Sequence, residues 1–433
     1  MTIGEEPGRG IEAGAVADAS RLRPLALAFA SIAILGNYYV YDSIAPVARM
    51  LHENIGLSQQ QIGLLNAVFS FPNIPLALVG GLLIDRIGAA RAALGAATIS
   101  TLGAGLTALG HPFAMMVLGR LLFGVGEETL FIALLAGIAQ WYRNAGAALA
   151  MSLFFSLARV GSWLADVSPT WAGGLYARGW QPPLILAFAI SLIGLTAAFA
   201  YHRLDRHRLH DALTTPGGAR ASWRDIAHFG RAYWYILGLN VLFAAAFFPF
   251  RSTFAIEYFQ DVHNVSLAAA GQVNALVFFM AIFATPLFGF VADRFGHRVP
   301  MLALGSLLLP TTFVILAGTD WSLWISSAVM GVSFSMVPAV IWPSTPMLVD
   351  ARRLGTAYGL INVLQNGALG LVNVLAGTII DATRAGAVNP AGYTPMLLGF
   401  IALRLIGHAC ALALWWVERG PANHGLHRPA RQV

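Results

Sequence analysis

The sequence predicts an all-α membrane protein with twelve transmembrane helices in two six-helix halves. Three observations carry this. Of 433 residues, 57% are hydrophobic and only 11% are charged, with a mean hydropathy of +0.68, whereas a soluble domain carries roughly 25% charged residues. Apolar segments long enough to cross a hydrocarbon core of ~30 Å recur to the C-terminus, so a targeting peptide does not explain them. One short motif also occurs twice, at equivalent places in the two halves.

The elements fall in order along the chain. Residues 1–24 are polar and Gly-rich and are expected to form a disordered cytoplasmic tail. Twelve apolar segments follow, at 25–47, 61–84, 90–110, 113–141, 145–171, 183–201, 234–258, 268–291, 299–317, 321–349, 355–380 and 393–417. These are numbered spans 1 to 12 below. Spans 1–6 make an N-terminal bundle (25–201) and spans 7–12 a C-terminal bundle (233–418). Between them lies a polar, Arg/His-rich cytoplasmic linker (202–232), and 419–433 forms a cytoplasmic tail. With the N-terminus inside, the tails and even-numbered loops hold 19 arginines and the opposite loops only Arg49, Arg178 and Arg384. The positive-inside rule therefore puts both termini in the cytoplasm, and the composition suggests a bacterial inner membrane.

Several classes are excluded. All 26 basic residues are arginine, and they sit mostly in short loops, so the net charge of +6 is a topology signal rather than a nucleic-acid footprint. The single Cys410 leaves no internal disulfide and no CxxC-type metal site. There is no phosphate loop, metal cluster or nucleophile–base constellation. The expected protein is therefore not an enzyme and needs no cofactor or metal. Its partners are the bilayer and a small-molecule substrate, and it is expected to be a monomer.

The informative residues are charges inside spans. A charge at mid-bilayer costs at least ~2.5–3.5 kcal/mol, so each needs an ion pair, a wet cavity or a charged ligand. Glu127 and Glu128 sit in the middle of span 4, and Arg159 lies near the middle of span 5. Glu128 and Arg159 could form a structural ion pair or bind the two ends of a zwitterion. Glu127 points about 100° away from Glu128. It could pair imperfectly with Arg120 or serve, like Glu128, as a candidate proton site. Arg120 could touch substrate, couple to protons or brace the bundle. Arg251, in the outer part of span 7 with Glu257 at i+6, could close an external gate, but snorkelling to the interface is the simpler expectation. Arg404 in span 12 reads as structural. Asp42 follows an aromatic cluster that includes Tyr38 and Tyr41, at a cavity mouth or an interfacial belt. Trp342 in span 10 and Asn362, Gln365 and Asn366 in span 11 offer aromatic and amide surface, suited to a peptide bond or to helix–helix bonding. The span 11 glycines are expected to allow close helix packing.

The repeated motif is G-x-x-x-D-R-x-G. It occurs as Gly81…Asp85-Arg86-Ile87-Gly88 after span 2 and as Gly289…Asp293-Arg294-Phe295-Gly296 after span 8. An Asp-Arg pair there could cap a neighbouring helix end and hold the half-bundles in register. The motif resembles the loop signature of the major facilitator superfamily. Arg120-Leu-Leu-Phe-Gly-Val-Gly126 fits the superfamily's span 4 pattern, although Glu127-Glu128 replace the usual small residues. Five stretches resemble, more narrowly, the branch that contains the lysosomal dipeptide transporter: Tyr41-Asp42, Phe123–Glu128, Ala158–Ser162, Phe248-Pro-Phe250 and Leu354–Asp381. Arg251 departs from that branch, where the position is apolar.

The resemblance implies two halves, each built of inverted three-helix repeats, that rock around a midplane site. Asp85, Arg86, Asp293, Arg294 and Arg120 become candidates for conformational gating. Glu128, Arg159, Trp342, Asn366, Gln365, Asn362, Tyr41 and Tyr38 become candidates for substrate binding. The expected substrate is a small zwitterion, most concretely a dipeptide. Glu128 would take its ammonium group and Arg159 its carboxylate. Two alternatives stay open: a proton-coupled symporter of organic carboxylates, and a non-transporting receptor or scaffold.

Overall fold

In the computed structural model, the described residues are 8–76, 84, 86–110, 112–142, 147–206, 226, 228–318, 322–350, 353–421 and 423–428. Among them the chain is mostly helix joined by short turns and loops, with one isolated bridge between Gly386 and Asn389. Among the described residues, ten helices are long and apolar enough to cross a membrane. Span 5 adds Ala147–Asp166, and span 2 is described as Gln59–Val68 with fragments beyond it, which is consistent with twelve.

Two boundaries differ from expectation. The first described helix is Gly8–Asp42, so residues 8–24 of the segment expected to be a disordered tail continue the first span as helix. Span 7 also runs further than its apolar stretch. It passes from Arg231–Pro249 through a π turn at Phe250–Phe254 into Ala255–His263. Hydropathy underestimates this helix because its outer end carries Arg251, Glu257 and Asp261, all buried.

Each half has its own core, with Phe243, Phe247, Phe278 and Phe334 central to the C-terminal one. The halves meet along a seam whose composition follows helical periodicity. Span 11 sets Asn362, Asn366, Gly370, Asn373, Gly377 and Asp381 on one stripe. Span 2 answers with Gln59, Gly63 and Asn66 at i, i+4 and i+7. The glycines let backbones touch: a Cβ on Gly63 would collide with the Asn373 carbonyl oxygen, and one on Gly377 with the Gln59 carbonyl oxygen. The expectation that span 11 glycines serve close packing holds at Gly370 and Gly377, whereas Gly367 faces open space, with only the Ile74 side chain at van der Waals distance.

The hydrogen bonds show where the seam is shut. Asp381 accepts from the backbone N–H groups of Gln59 and Gln60, at 2.8 Å each. Gln59 donates to Glu257 (2.7 Å), Arg49 pairs with Asp261 (3.3 Å), and Gln272 donates to Thr170 (3.3 Å). Asn66 donates to the Ser252 carbonyl and the Thr253 hydroxyl, both at 2.9 Å. All of these lie in the part of the helices remote from the chain termini. Among the described hydrogen bonds between halves, only that from Asn362 to Glu128 lies at mid-length of the bundle. The structure is therefore the state sealed on the side opposite the termini.

Candidate functional site

The seal is centred on Arg251. Pro249 has no N–H to donate, and the chain then widens into the π turn that carries Arg251, a geometry often found at functional sites. The Arg251 side chain is 0% exposed. One Nη donates to Asp42 Oδ1 at 2.6 Å and to Ser252 Oγ at 3.3 Å. The other donates to Asp166. Asn274 on span 8 bridges the pair, donating to Asp166 (3.0 Å) and to the Arg251 carbonyl (3.2 Å). Spans 1 and 5 of one half are thus tied to spans 7 and 8 of the other by one guanidinium between two carboxyl groups. The expectation that Arg251 snorkels is overturned. Its partners are two acids from the opposite bundle, and Glu257 bonds Gln59 instead. Asp166 and Asn274 were not foreseen. Their signal was helical register, since Asp166 lies seven residues after Arg159 and shares its face.

Below the lock lies Arg159. It is half-buried, and among the described residues no carboxylate pairs with it. Its guanidinium rests instead on three rings: Tyr38 at 5.4 Å, and Phe278 and Phe334 at 5.1 Å each. Tyr38 belongs to its own half, and the two phenylalanines reach it from spans 8 and 10 of the other. Tyr38 stacks on Tyr41 (5.8 Å), which meets Phe69 edge-on (4.7 Å). The Tyr38–Tyr41 cluster therefore walls Arg159 rather than forming an interfacial belt.

Glu128 does not pair with Arg159. Its Oε1 accepts from Asn362 Nδ2 at 2.8 Å, and Asn362 in turn accepts from Asn366 at 2.5 Å. Glu128, Asn362 and Asn366 thus form one chain across the seam. Gln365 turns away and accepts from Asn240 of span 7 (2.7 Å). Trp342 stacks on Tyr358 at 5.6 Å and has no described contact with Glu128 or Arg159. Glu127 is buried within span 4.

Arg120 is not the partner of Glu127. It donates to the carbonyls of Leu65 (3.2 Å), Val40 (3.2 Å) and Tyr41 (3.3 Å), and to Asn66 Oδ1 at 2.6 Å. Span 1 ends at Asp42, where the Val40 carbonyl also accepts from the N–H and hydroxyl of Ser43, whereas the last-turn carbonyl of Tyr41 needs a donor from outside the helix. Arg120 supplies it. By fixing Asn66 it also orients the amide that crosses to Thr253, whose hydroxyl donates to Asn373 at 2.7 Å. The bracing alternative fits this geometry.

The repeated loops are less informative. Asp85 lies outside the described residues, and Arg86 is exposed. Asp293 accepts from Arg298 (3.0 Å) of its own half, and Arg294 is exposed. In this state Asp293 does not cap a helix of the opposite half. Arg404 is fully buried, lies 4.8 Å above the Phe243 ring and donates to the Ser306 carbonyl (3.4 Å), within one bundle.

Comparison with known proteins agrees with this architecture. The family model described as Major Facilitator Superfamily matches residues 27–373 and 236–432. The chain belongs to the major facilitator superfamily. It is 28% identical to the lysosomal dipeptide transporter MFSD1 of Mus musculus, over 96% of this chain and 91% of the relative. It is 24% identical to the probable sulfoacetate transporter SauU of Cupriavidus necator, over 79% and 83% of the two chains. Among solved structures, a bacterial homolog of the human lysosomal transporter Spinster, inward-facing and unoccupied, superposes with a TM-score of 0.71 at 18% identity, covering 90% of this chain and 96% of that one. The chain is thus an integral membrane protein with the fold of this transporter superfamily.

Proposed function

We propose that this superfamily member is an alternating-access carrier of small zwitterions, most concretely dipeptides. The observation that carries the reading is the state of Arg159: a guanidinium held among three rings from both halves, with no carboxylate partner among the described residues. A half-buried cation left in that condition is a strong site for a ligand carboxylate, because the planar fork binds it bidentately. Glu128, on the neighbouring helix, supplies the opposite charge for an ammonium. Asn362 and Asn366 supply an acceptor and donors for the peptide bond between them. An extended dipeptide measures about 7 Å between its ends. The similarity to dipeptide-transporting relatives supports the same substrate class. In this reading both termini are cytoplasmic, the sealed side faces outward, and Glu127 and Glu128 are the candidate proton sites.

A second reading, a carrier of organic anions, also uses an unpaired Arg159 but needs no ammonium partner. Thermal unfolding of the purified protein separates the two, since a ligand that binds only the folded state raises apparent stability. Free dipeptides are expected to raise the melting temperature, and N-acetylated or C-amidated forms are expected not to. Equal stabilisation by plain carboxylates would favour the anion carrier instead.

A further inference from the structure

One ring touches both arginines of the seam. Phe278 lies 3.7 Å from the guanidinium carbon of Arg251 and 5.1 Å from that of Arg159. It sits on span 8 one helical turn after Asn274, the residue that bridges Asp166 and Arg251. The charges on its two sides are unequal. The lock sets two carboxyl groups, Asp42 and Asp166, against one guanidinium. Arg159 is a guanidinium with no described carboxylate. The excess acid of the lock and the excess cation of the cage therefore face one another through a single aromatic side chain.

From this juxtaposition we infer that Phe278 is the positioning residue that couples occupancy of Arg159 to the outer seal. The inference rests on the reading of Arg159 as a carboxylate anchor. A ligand carboxylate that pairs with Arg159 cancels the charge that offsets the lock, and it draws the guanidinium off the Phe278 face. The ring is then free to shift, and it carries the stacking surface of Arg251 with it. Both effects weaken the lock, so filling the site favours opening of the sealed side. A ligand can shift a two-state equilibrium only through a difference in its interaction with the two states, and here the difference is whether Arg159 still shares Phe278 with a closed lock. Phe334 supplies the control. It also contacts Arg159 at 5.1 Å but has no described contact with Arg251.

The test uses the full-length protein with Cys410→Ser and spin labels at Ala177→Cys and Val388→Cys. These two exposed loop positions lie one in each half, on the sealed side. Distance distributions are recorded with no ligand, with a saturating dipeptide and with its C-amidated form, and binding is followed separately by thermal shift. The expected result is that dipeptide raises the long-distance population by about fivefold or more in the parent protein, within the usual range of coupling between sites. In Phe278→Leu, as in Phe334→Leu, dipeptide binding is weakened, but at saturating dipeptide the distance response is lost. Phe278→Tyr restores the response by restoring a ring. Phe334→Leu weakens binding yet responds normally at saturation. A Phe278→Leu protein that opens like the parent at saturating dipeptide would overturn the coupling role. A parent protein that neither binds nor responds to dipeptide, but responds to plain carboxylates, would overturn the dipeptide reading and leave the coupling testable with those anions.

Discussion

Replacing Arg251 with methionine is expected to open the sealed side. Removing one partner of a buried ion pair costs about 3–5 kcal/mol, because the charge left behind is uncompensated. Here two carboxyl groups, Asp42 and Asp166, are stranded at side-chain exposures of 1% and 0%. The cost falls only on the sealed state. Once the seam parts, both acids meet water and lose nothing further. The equilibrium therefore moves toward the opposite conformation by roughly two to nearly four orders of magnitude. In a Cys410→Ser background, maleimide labelling of Ser70→Cys, a fully buried position one turn after Asn66 on span 2 whose side chain takes no part in the seal, should rise accordingly. Overall unfolding stability should fall much less, because the protein has an alternative folded state to occupy. A compensated variant, Asp42→Asn with Asp166→Asn and Arg251→Met, removes the stranded charge and should recover most of the sealed population. If Arg251→Met labels no faster than the parent, the lock does not hold the seam.

The second large effect is on binding. Glu128→Gln keeps an oxygen to accept from Asn362, so the cross-seam bond and the fold are preserved while the charge is lost. Arg159→Ala removes a guanidinium that no described carboxylate shares, so no acid is left stranded. Hydrogen bonds to charged groups contribute about 1.5–3 kcal/mol each, so each substitution should weaken dipeptide binding by about ten- to a hundredfold. Arg159→Lys should fall between, keeping the charge and losing the bidentate fork. Isothermal titration reads these affinities directly. Unchanged affinity in Glu128→Gln would remove the ammonium from the account. The loss should also be specific: in Glu128→Gln the N-acetylated dipeptide, which has no ammonium to lose, should bind about as well as the free one.

The fold was legible because hydropathy, arginine placement and the repeated Asp-Arg loop are all local patterns with a single explanation. The candidate anchors were legible for the same reason, since Glu128 and Arg159 are charges where charges are costly. What could not be read were the pairings. Arg251 lies 209 residues from Asp42 and 85 from Asp166, and nothing local chooses those partners over Glu257, which is nearer in sequence. The seam of Gln59, Asn66, Asn274 and Asn373 went unread because lone amides in apolar helices look like ordinary helix contacts. Their shared stripes become visible only once spans 2 and 11 are laid together. Arg120 was misleading in another way. Its chemistry invited a carboxylate, while its actual partners are backbone carbonyls at a helix end, which any sequence supplies. The helical start at Gly8 has no comparable account, since the segment is polar and Gly-rich.

The central claim is that a zwitterion with both ends free crosses the bilayer through this protein. Counterflow in proteoliposomes tests it most directly. Vesicles are loaded with an unlabelled dipeptide and diluted into trace labelled dipeptide with no ion gradient. The account predicts transient accumulation of label in vesicles containing the protein. Competition by free dipeptides should abolish it, and end-blocked forms should not. Protein-free vesicles and vesicles with Arg159→Ala should show no accumulation. If a correctly folded protein gives no counterflow with any dipeptide, but accumulates a plain carboxylate or sulfonate, the chain is an anion carrier. If it accumulates neither, the reading as a transporter of these solutes is wrong.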